Sequence, residues 1–128
     1  MSNNLAIKLR SGTEQSHAAT ENIGFMKCFV KGVVDRSCFA KFLSNLYFVY
    51  SELEAALKNH QNHPCVGIVY FGELNRKANL EKDLQFYYGT DWQNQIAPLI
   101  STQNYISRIR EVSQKQPELL IGHAYTRY

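Results

Sequence analysis

His17 and Glu21 are the two residues of this 128-residue chain whose types and spacing point most directly to chemistry. Four residues make about one turn of an α-helix, so a helix here would place the imidazole beside the carboxylate. A carboxylate that accepts the proton of one ring nitrogen fixes the tautomer and leaves the lone pair of the other nitrogen for a metal ion. The same spacing suits a solvated ion pair, which is its commoner use. The pair alone therefore leaves metal ligation and a surface ion pair both open.

Arg10, Thr13 and Glu14 continue the helix face that carries His17. Arg10 lies roughly 10 Å from His17 along the axis, judged from the helical rise. A cation at that distance suits the acidic edge of a large planar ligand whose iron is held by the histidine. The alternative interpretation is that Arg10 is an ordinary solvated arginine.

A helix must position these residues, and the sequence predicts one that runs through Gly12 and Thr13 to His17. Ser2 or Asn3 is its predicted cap. Its apolar face is formed by Leu5, Ala6 and Leu9. His17 is thus predicted where the apolar face meets polar residues.

The strongest helical pattern lies further along the chain, behind a predicted cap at Ser37. It holds the 3.6-residue period at Phe39, Leu43, Leu46, Tyr47, Tyr50, Leu53 and Leu57. Further helices are predicted to begin at Gly24, at Asn79, at Ser101 or Thr102, and at Pro117. Residues 65–78 are predicted to be irregular or partly helical. The pattern predicts an all-α fold, with residues 39–57 as its central helix.

The composition suits one domain with a hydrophobic core, since 45% of the 128 residues are hydrophobic. The net charge of +3 is mild and the basic residues are scattered, so nucleic acid is not the expected partner. The longest unbroken apolar run, Leu46 to Tyr50, is far too short to span a membrane. We expect a soluble cytoplasmic protein, or one of the plastid stroma if it is plastid-encoded.

The remaining metal-binding residue types give weaker signals. Cys28, Cys38 and Cys65 are odd in number and lack CxxC spacing, so they indicate reduced thiols. His60 and His63 have HxxH spacing but no nearby acidic or cysteine partner, so surface histidines are the expected reading. The remaining histidine, His123, is predicted to have a structural role. No catalytic triad or phosphate-binding glycine loop is evident.

Four blocks of sequence, in order along the chain, carry a family resemblance. They are SHAATENIGFMKCFVKGVV from Ser16, NLYFVYSELE at 45–54, YFGELNRKANLEKDLQFYYG at 70–89 and PELLIGHAYTRY at 117–128. With these blocks the chain resembles the haem oxygenases (heme oxygenases) of the soluble cyanobacterial and plastid type. The resemblance implies an all-α, multi-helix enzyme that uses haem b as both substrate and cofactor and reacts with O2. The implied products are biliverdin, CO and Fe2+, with electrons from reduced ferredoxin and a downstream bilin reductase as a possible partner.

The resemblance also implies roles for residues on the proximal side of a haem. His17 would be the axial ligand of the haem iron, and Glu21 would accept a hydrogen bond from it. Arg10 and Tyr125 would contact the haem propionates. Thr13 and Met26 would line the proximal pocket, although both residue types also suit simple packing.

Two further residues correspond to a network that supports an oxygen-activating water on the opposite side. These are Tyr50 and Arg127. Each also has a structural interpretation, because Tyr50 lies on the apolar stripe of the central helix and Arg127 suits a helix end.

The family pattern continues beyond Tyr128 into a glycine-rich distal helix with an aspartate, so we expect residues 1–128 to be a single, partial haem oxygenase domain. Activity of these 128 residues alone is therefore doubtful. The alternative is a non-catalytic short form that binds haem or a bilin without the distal helix. A protein of the same helical architecture with unrelated chemistry is a third, weaker interpretation.

Overall fold

The computed structural model describes residues 3–128, except for the side chain of Asn3. The predicted cap at Ser2 or Asn3 lies outside these described atoms. The α-helices of the described chain are α1 (Asn3–Glu21), α2 (Gly24–Val30), α3 (Arg36–Asn59), α4 (Val66–Val69), α5 (Lys77–Tyr88), α6 (Ile100–Lys115) and α7 (Leu120–Arg127). Short 3-10 turns occupy Gly72–Leu74, Trp92–Asn94 and Pro117–Leu119. Residues 3–128 contain no strand, which confirms the predicted all-α class.

The chain divides into two compact units, the first ending at Cys38 and the second running from Phe39 to Tyr128. The first unit contains α1 and α2. Every side chain from Asn4 to Glu21 is exposed, including the predicted apolar face of α1. Gly32 follows α2 with a φ of 72°, a conformation that glycine adopts without the steric cost of a Cβ. The periodicity therefore predicted the helix, but that apolar face is not buried.

The second unit is built around α3, whose buried side chains enter two hydrophobic clusters. The first cluster joins α3 to α4, α6 and α7 through Val49, Leu53, Ala56, Leu57, Val66, Ile109, Val112, Leu120 and Ala124. The second joins α3 to α5 and the following turn through Leu43, Tyr50, Leu80, Leu84 and Trp92. The 3.6-residue period places apolar residues on more than one side of α3, which explains why it can serve both clusters. The predicted central helix is confirmed.

The helix starts differ from two of the predicted caps. Asp35, rather than Ser37, caps α3, because its carboxylate accepts hydrogen bonds from the Cys38 N–H at 3.3 Å and from the Ser37 hydroxyl. These bonds hold the pKa of Asp35 below its usual range. The start of α5 is Lys77 rather than Asn79. Its first amides are bonded by a carboxylate from α3, as described below.

An asparagine of α3 holds the start of α6. The Asn45 Oδ1 atom accepts the Leu99 N–H at 3.0 Å and the Thr102 hydroxyl at 2.7 Å. The predicted start at Ser101 or Thr102 is therefore one or two residues late. The irregular segment 65–78 and the turn at Pro117 agree with the prediction. No helix among residues 3–128 has the length and hydropathy needed to cross a membrane.

Candidate functional site

The exposed face of α1 brings together the residues that the sequence singled out first. The His17 Nε2 atom lies 2.7 Å from the Glu21 Oε1 atom. Their side chains are 73% and 68% exposed, so the contact lies in solvent. With Nε2 engaged by the carboxylate, Nδ1 is the ring nitrogen with a free lone pair in this conformation.

An open depression of about 650 Å³ runs along this face of α1. Its lining includes Arg10, Glu14, His17 and Glu21, which recur at helical spacing. Small-molecule sites in proteins occupy about 300–1,000 Å³, so the depression is large enough for a ligand. Thr13 also lines it, but its hydroxyl donates to the Leu9 carbonyl at 2.7 Å and is directed at the backbone.

Met26, the other predicted proximal residue, lies on α2 and is half-buried. Phe25 and Phe29 stack on the same helix with ring centroids 6.2 Å apart. The helix α2 thus carries Met26 together with two aromatic residues.

Tyr50 and Arg127 meet in the second unit through a hydrogen bond that the sequence did not suggest. Tyr50 is buried in α3, and its hydroxyl donates to the backbone carbonyl of Arg127 at 2.9 Å. The bond joins residues 77 positions apart and fixes the end of α7 against the central helix. The hydroxyl of Tyr50 is thus committed to the backbone, while the guanidinium of Arg127 points elsewhere.

The Arg127 guanidinium lies on the ring of Tyr105, 5.2 Å from its centroid, and Nε donates to the tyrosine hydroxyl at 3.2 Å. The same hydroxyl lies 3.4 Å from the His123 Nδ1 atom. Burial, together with the charges of Arg108 and Arg127, lowers the pKa of His123. His123 is half-buried, in agreement with the structural role predicted for it. Arg127 and Tyr105 also line a surface groove of about 300 Å³.

Glu54 forms a buried centre that the sequence reading missed. Its carboxylate accepts the backbone N–H groups of Arg76 and of Lys77, the latter at 3.2 Å. It also accepts a hydrogen bond from the Tyr128 hydroxyl at 2.9 Å. Partial burial of the Tyr128 hydroxyl and its bond to Glu54 raise the pKa of Tyr128. The sequence did contain a signal for this centre, because Glu54 lies four positions after Tyr50, on the apolar stripe of the central helix.

Two aromatic contacts connect this centre to Tyr50. The ring of Tyr128 packs edge-on against that of Tyr50 at 5.7 Å, and the Arg76 guanidinium lies over the Tyr50 ring at 5.3 Å. The side chain of Tyr125, on α7, is 83% exposed and available to a ligand.

His60 and His63, which the sequence predicts to be surface histidines, are both half-buried. The His60 Nε2 atom lies 3.0 Å from the Ser113 hydroxyl oxygen. The His63 Nδ1 atom accepts two backbone N–H groups. Within residues 3–128 no three His, Cys, Asp or Glu side chains are grouped so that they could hold a metal ion. Cys28, Cys38 and Cys65 are exposed and unpaired with one another.

The family profile described as "Heme oxygenase" matches residues 3–128, nearly the whole chain. The chain belongs to the haem oxygenase family. Heme oxygenase 1 of the cyanobacterium Synechocystis sp. is 50% identical over 128 residues, which are 100% of this chain and 53% of that protein. Heme oxygenase 1 of Nostoc sp. is 51% identical over 128 residues, 100% of this chain and 54% of the relative. The chain thus spans about half the length of the curated haem oxygenases that it matches.

The fold agrees with solved haem oxygenase structures. The crystal structure of Synechocystis haem oxygenase-1 in complex with haem gives a TM-score of 0.90 at 50% identity. The similarity covers 98% of this chain and 57% of that one. The haem oxygenase from Leptospira interrogans gives a TM-score of 0.89 at 43% identity, over 97% and 60% of the two chains. The predicted haem oxygenase-like fold is confirmed.

Proposed function

We propose that this chain acts in the oxidative cleavage of haem b to biliverdin, with release of CO and Fe2+, and that His17 is the axial ligand of the haem iron. The observation that carries the proposal is the exposed His17–Glu21 pair on a helix face, in a member of the haem oxygenase family. Haem is the proposed substrate because a Synechocystis relative was crystallised in complex with haem.

The residues of α1 fit such a group. The imidazole of His17 is accessible, and Glu21 lies in contact with it, so the carboxylate can hold the ring proton while the other nitrogen binds iron. Arg10 is exposed on the same face and can pair with a propionate. Met26 and Thr13 would line the proximal side of the haem, and the exposed Tyr125 would donate its hydroxyl to a propionate.

Bound haem would supply both the iron that binds O2 and the ring that is cleaved. A neutral histidine ligand suits this reaction because it pushes less electron density toward O–O cleavage than a thiolate does. Tyr50 and Arg127 would support the oxygen-activating side. In this chain Tyr50 fixes the backbone of α7 at Arg127, and the Arg127 guanidinium stays half-buried against Tyr105.

The electron donor that we propose is reduced ferredoxin, an acidic carrier, and the net charge of +3 favours its association. A bilin reductase would consume the product. Both partners are proposals that come with the family.

Haem titration followed by absorption spectroscopy tests the ligand assignment. We expect His17→Ala to keep part of the binding, because burial of the apolar ring persists, but to lose the histidine-ligated spectrum. Added imidazole should restore that spectrum. Glu21→Gln should have a smaller effect, since an amide oxygen still accepts the ring proton. A wild-type spectrum in His17→Ala would refute the assignment and redirect it to His60, His63 or His123.

Turnover tests the reaction itself. We expect residues 1–128 alone to bind haem weakly and to form little biliverdin with ferredoxin and its reductant. The same residues joined to the unmatched remainder of Synechocystis haem oxygenase 1 should form biliverdin, and His17→Ala should abolish this. Tight binding without turnover in both proteins would favour the alternative, a non-catalytic haem- or bilin-binding protein.

A further inference from the structure

Three side chains where α6 meets α7 form one chain of hydrogen bonds. The Arg127 Nε–H donates to the Tyr105 hydroxyl at 3.2 Å, and this hydroxyl lies 3.4 Å from the His123 Nδ1 atom. A guanidinium N–H can only donate, so the tyrosine oxygen accepts from Arg127. The hydroxyl keeps a proton of its own, and among residues 3–128 the acceptor within its reach is His123 Nδ1. The order of donation is therefore Arg127 to Tyr105 to His123.

The environment of His123 suits an acceptor. Nδ1 accepts a hydrogen bond only when the ring is neutral with its proton on Nε2. Burial and the charges of Arg108 and Arg127 lower the pKa of His123, which favours the neutral ring. The ring lies edge-on to that of Tyr105, with centroids 5.6 Å apart. His123 thus offers the hydroxyl a lone pair rather than a competing donor.

The backbone on both sides of this chain of bonds is held by buried neighbours. On α6, Thr102 and Ile109 are buried one turn to either side of Tyr105. On α7, Ala124 is buried, and the carbonyl of Arg127 accepts a hydrogen bond from α3. The side chain of Arg127 is nevertheless long and flexible, so a fixed backbone does not by itself fix the guanidinium.

Tyr105 is the hydrogen-bond partner that fixes the Arg127 guanidinium within the described residues. The guanidinium also lies on the tyrosine ring, 5.2 Å from its centroid. Its terminal amino groups make no further hydrogen bond within residues 3–128, and Arg127 lines a surface groove with Phe42 and Leu46. The direction of those amino groups therefore depends on how the tyrosine oxygen holds Nε.

A tyrosine hydroxyl rotates about its C–O bond unless its proton is held. By accepting that proton, His123 leaves a lone pair of the oxygen facing Arg127. It also strengthens the bond from Arg127, because successive hydrogen bonds polarise one another. Without this acceptor, the hydroxyl is free to turn its proton toward the Nε–H group, where two donors would meet.

We propose that His123 is a positioning residue for Arg127, on which it acts through the Tyr105 hydroxyl. The positioning concerns the polypeptide itself, whereas its effect on turnover rests on the distal role of Arg127 in the proposed function.

Exchange of the Arg127 Nε–H with water, followed by 15N NMR on the 128-residue chain, tests the positioning. Leucine fills the site but accepts no hydrogen bond. His123→Leu should therefore exchange this proton about two- to fivefold faster, at the lower end of the effect of one lost hydrogen bond. Asparagine is smaller, yet its Oδ1 atom takes the place of Nδ1, so His123→Asn should stay close to wild type. The Arg110 Nε–H, which donates to Glu52 at 2.7 Å, is the internal control and should not change.

A role of His123 in packing alone predicts the opposite order, since the smaller asparagine would disturb the half-buried site more than leucine does. Faster exchange in His123→Asn than in His123→Leu would overturn the proposal, and so would wild-type exchange in His123→Leu. Tyr105→Phe removes the acceptor of Arg127 itself and should exchange at least as fast as His123→Leu. The 15N shifts of the His123 ring should report the Nε2–H tautomer at neutral pH, and an Nδ1–H tautomer would also overturn the proposal.

Haem turnover separates this inference from the proposed function. In residues 1–128 joined to the unmatched remainder of Synechocystis haem oxygenase 1, His123→Leu should slow biliverdin formation about two- to fivefold, in parallel with the exchange. Haem affinity should stay unchanged, and His123→Asn should keep the wild-type rate. If His123→Leu frees the Arg127 side chain without slowing turnover, the positioning stands and the distal role proposed for Arg127 fails.

Discussion

At the scale of single residues, the face of α1 combines one cation, Arg10, with the carboxylates Glu14 and Glu21 around His17. Replacement of Arg10 by Glu would set a like charge against a haem propionate. We therefore expect haem affinity to fall about three- to tenfold, the range of an exposed to partly buried charge-assisted contact. Lys8→Glu makes the same change in charge roughly 200° around the helix and is the control. Spectroscopic titration should separate the two variants, and equal affinities would place Arg10 outside the site.

His123 should titrate below an ordinary histidine. Its pKa is lowered by burial and by the charges of Arg108 and Arg127, so the unfolded chain binds a proton more readily than the folded one. The resulting stability is present above about pH 6.5 and is lost as the pH falls through the folded-state value. NMR titration of the ring protons measures it. Arg127→Met should raise the midpoint, and an unchanged midpoint would attribute the shift to burial and Arg108.

Glu54 accepts three hydrogen bonds on two oxygens, an arrangement that glutamine cannot reproduce. In Glu54→Gln the amide NH2 would face at least one backbone donor, which should cost about 1–3 kcal/mol of unfolding free energy. Glu52→Gln is the control on the same helix, since Glu52 pairs with the exposed Arg110 at 2.7 Å. That pair should contribute about 0–1 kcal/mol. Urea denaturation compares the two, and equal losses would contradict the special role of Glu54.

At the scale of elements, Gly67 permits the turn after α3 to fold back on itself. A Cβ at this position would meet the backbone carbonyl oxygen of Gln61, which cannot move aside as a flexible side chain would. Gly67→Ala should therefore lower the unfolding free energy by about 1–2 kcal/mol, because the clash exceeds the gain in helix propensity. Gly122 of α7 has no atom within 4 Å of such a Cβ. Thermal unfolding should show Gly122→Ala as neutral or stabilising, and a matching loss there would discredit the clash.

The elements also show what the sequence could predict. Periodicity located α3 and α6, because a helix that buries one face repeats its apolar residues on that face. It also located α1, although the apolar face of that helix is exposed. The caps were predicted less well. At α3 the cap is the neighbouring Asp35 rather than Ser37, whereas the carboxylate that bonds the start of α5 comes from Glu54, more than twenty positions earlier. A bond between distant residues leaves no local pattern.

In the candidate site too, contacts between neighbouring residues could be predicted from the sequence and contacts between distant residues could not. His17 and Glu21 are one turn apart, so their contact could be predicted from helical geometry alone. Tyr50 and Arg127 are 77 positions apart, and the hydrogen bond between them depends on the packing of α7 on α3. The bonds from the Cys65 and Val66 N–H groups to His63 Nδ1 are local, but an imidazole is an uncommon acceptor in such a turn and the sequence did not predict them.

At the scale of the whole molecule, the two compact units differ in how much surface they bury. The second unit contains both hydrophobic clusters, whereas the side chains of α1 are exposed from Asn4 to Glu21. Most of the stability of a helix in a protein comes from tertiary packing of its apolar face, and α1 lacks that packing. The structure therefore predicts unequal stability along one chain.

Hydrogen exchange of the 128-residue chain should reveal this inequality. We expect the amides of α1 to be protected at least about 100-fold less than those in the centre of α3, because local opening of α1 exposes little additional apolar surface. Added haem should raise protection around His17, since a ligand that binds the helical form opposes its opening. His17→Ala should reduce that gain, while the protection of α3 stays unchanged. Equal protection in α1 and α3 without haem would show that α1 is stabilised by more than its own hydrogen bonds.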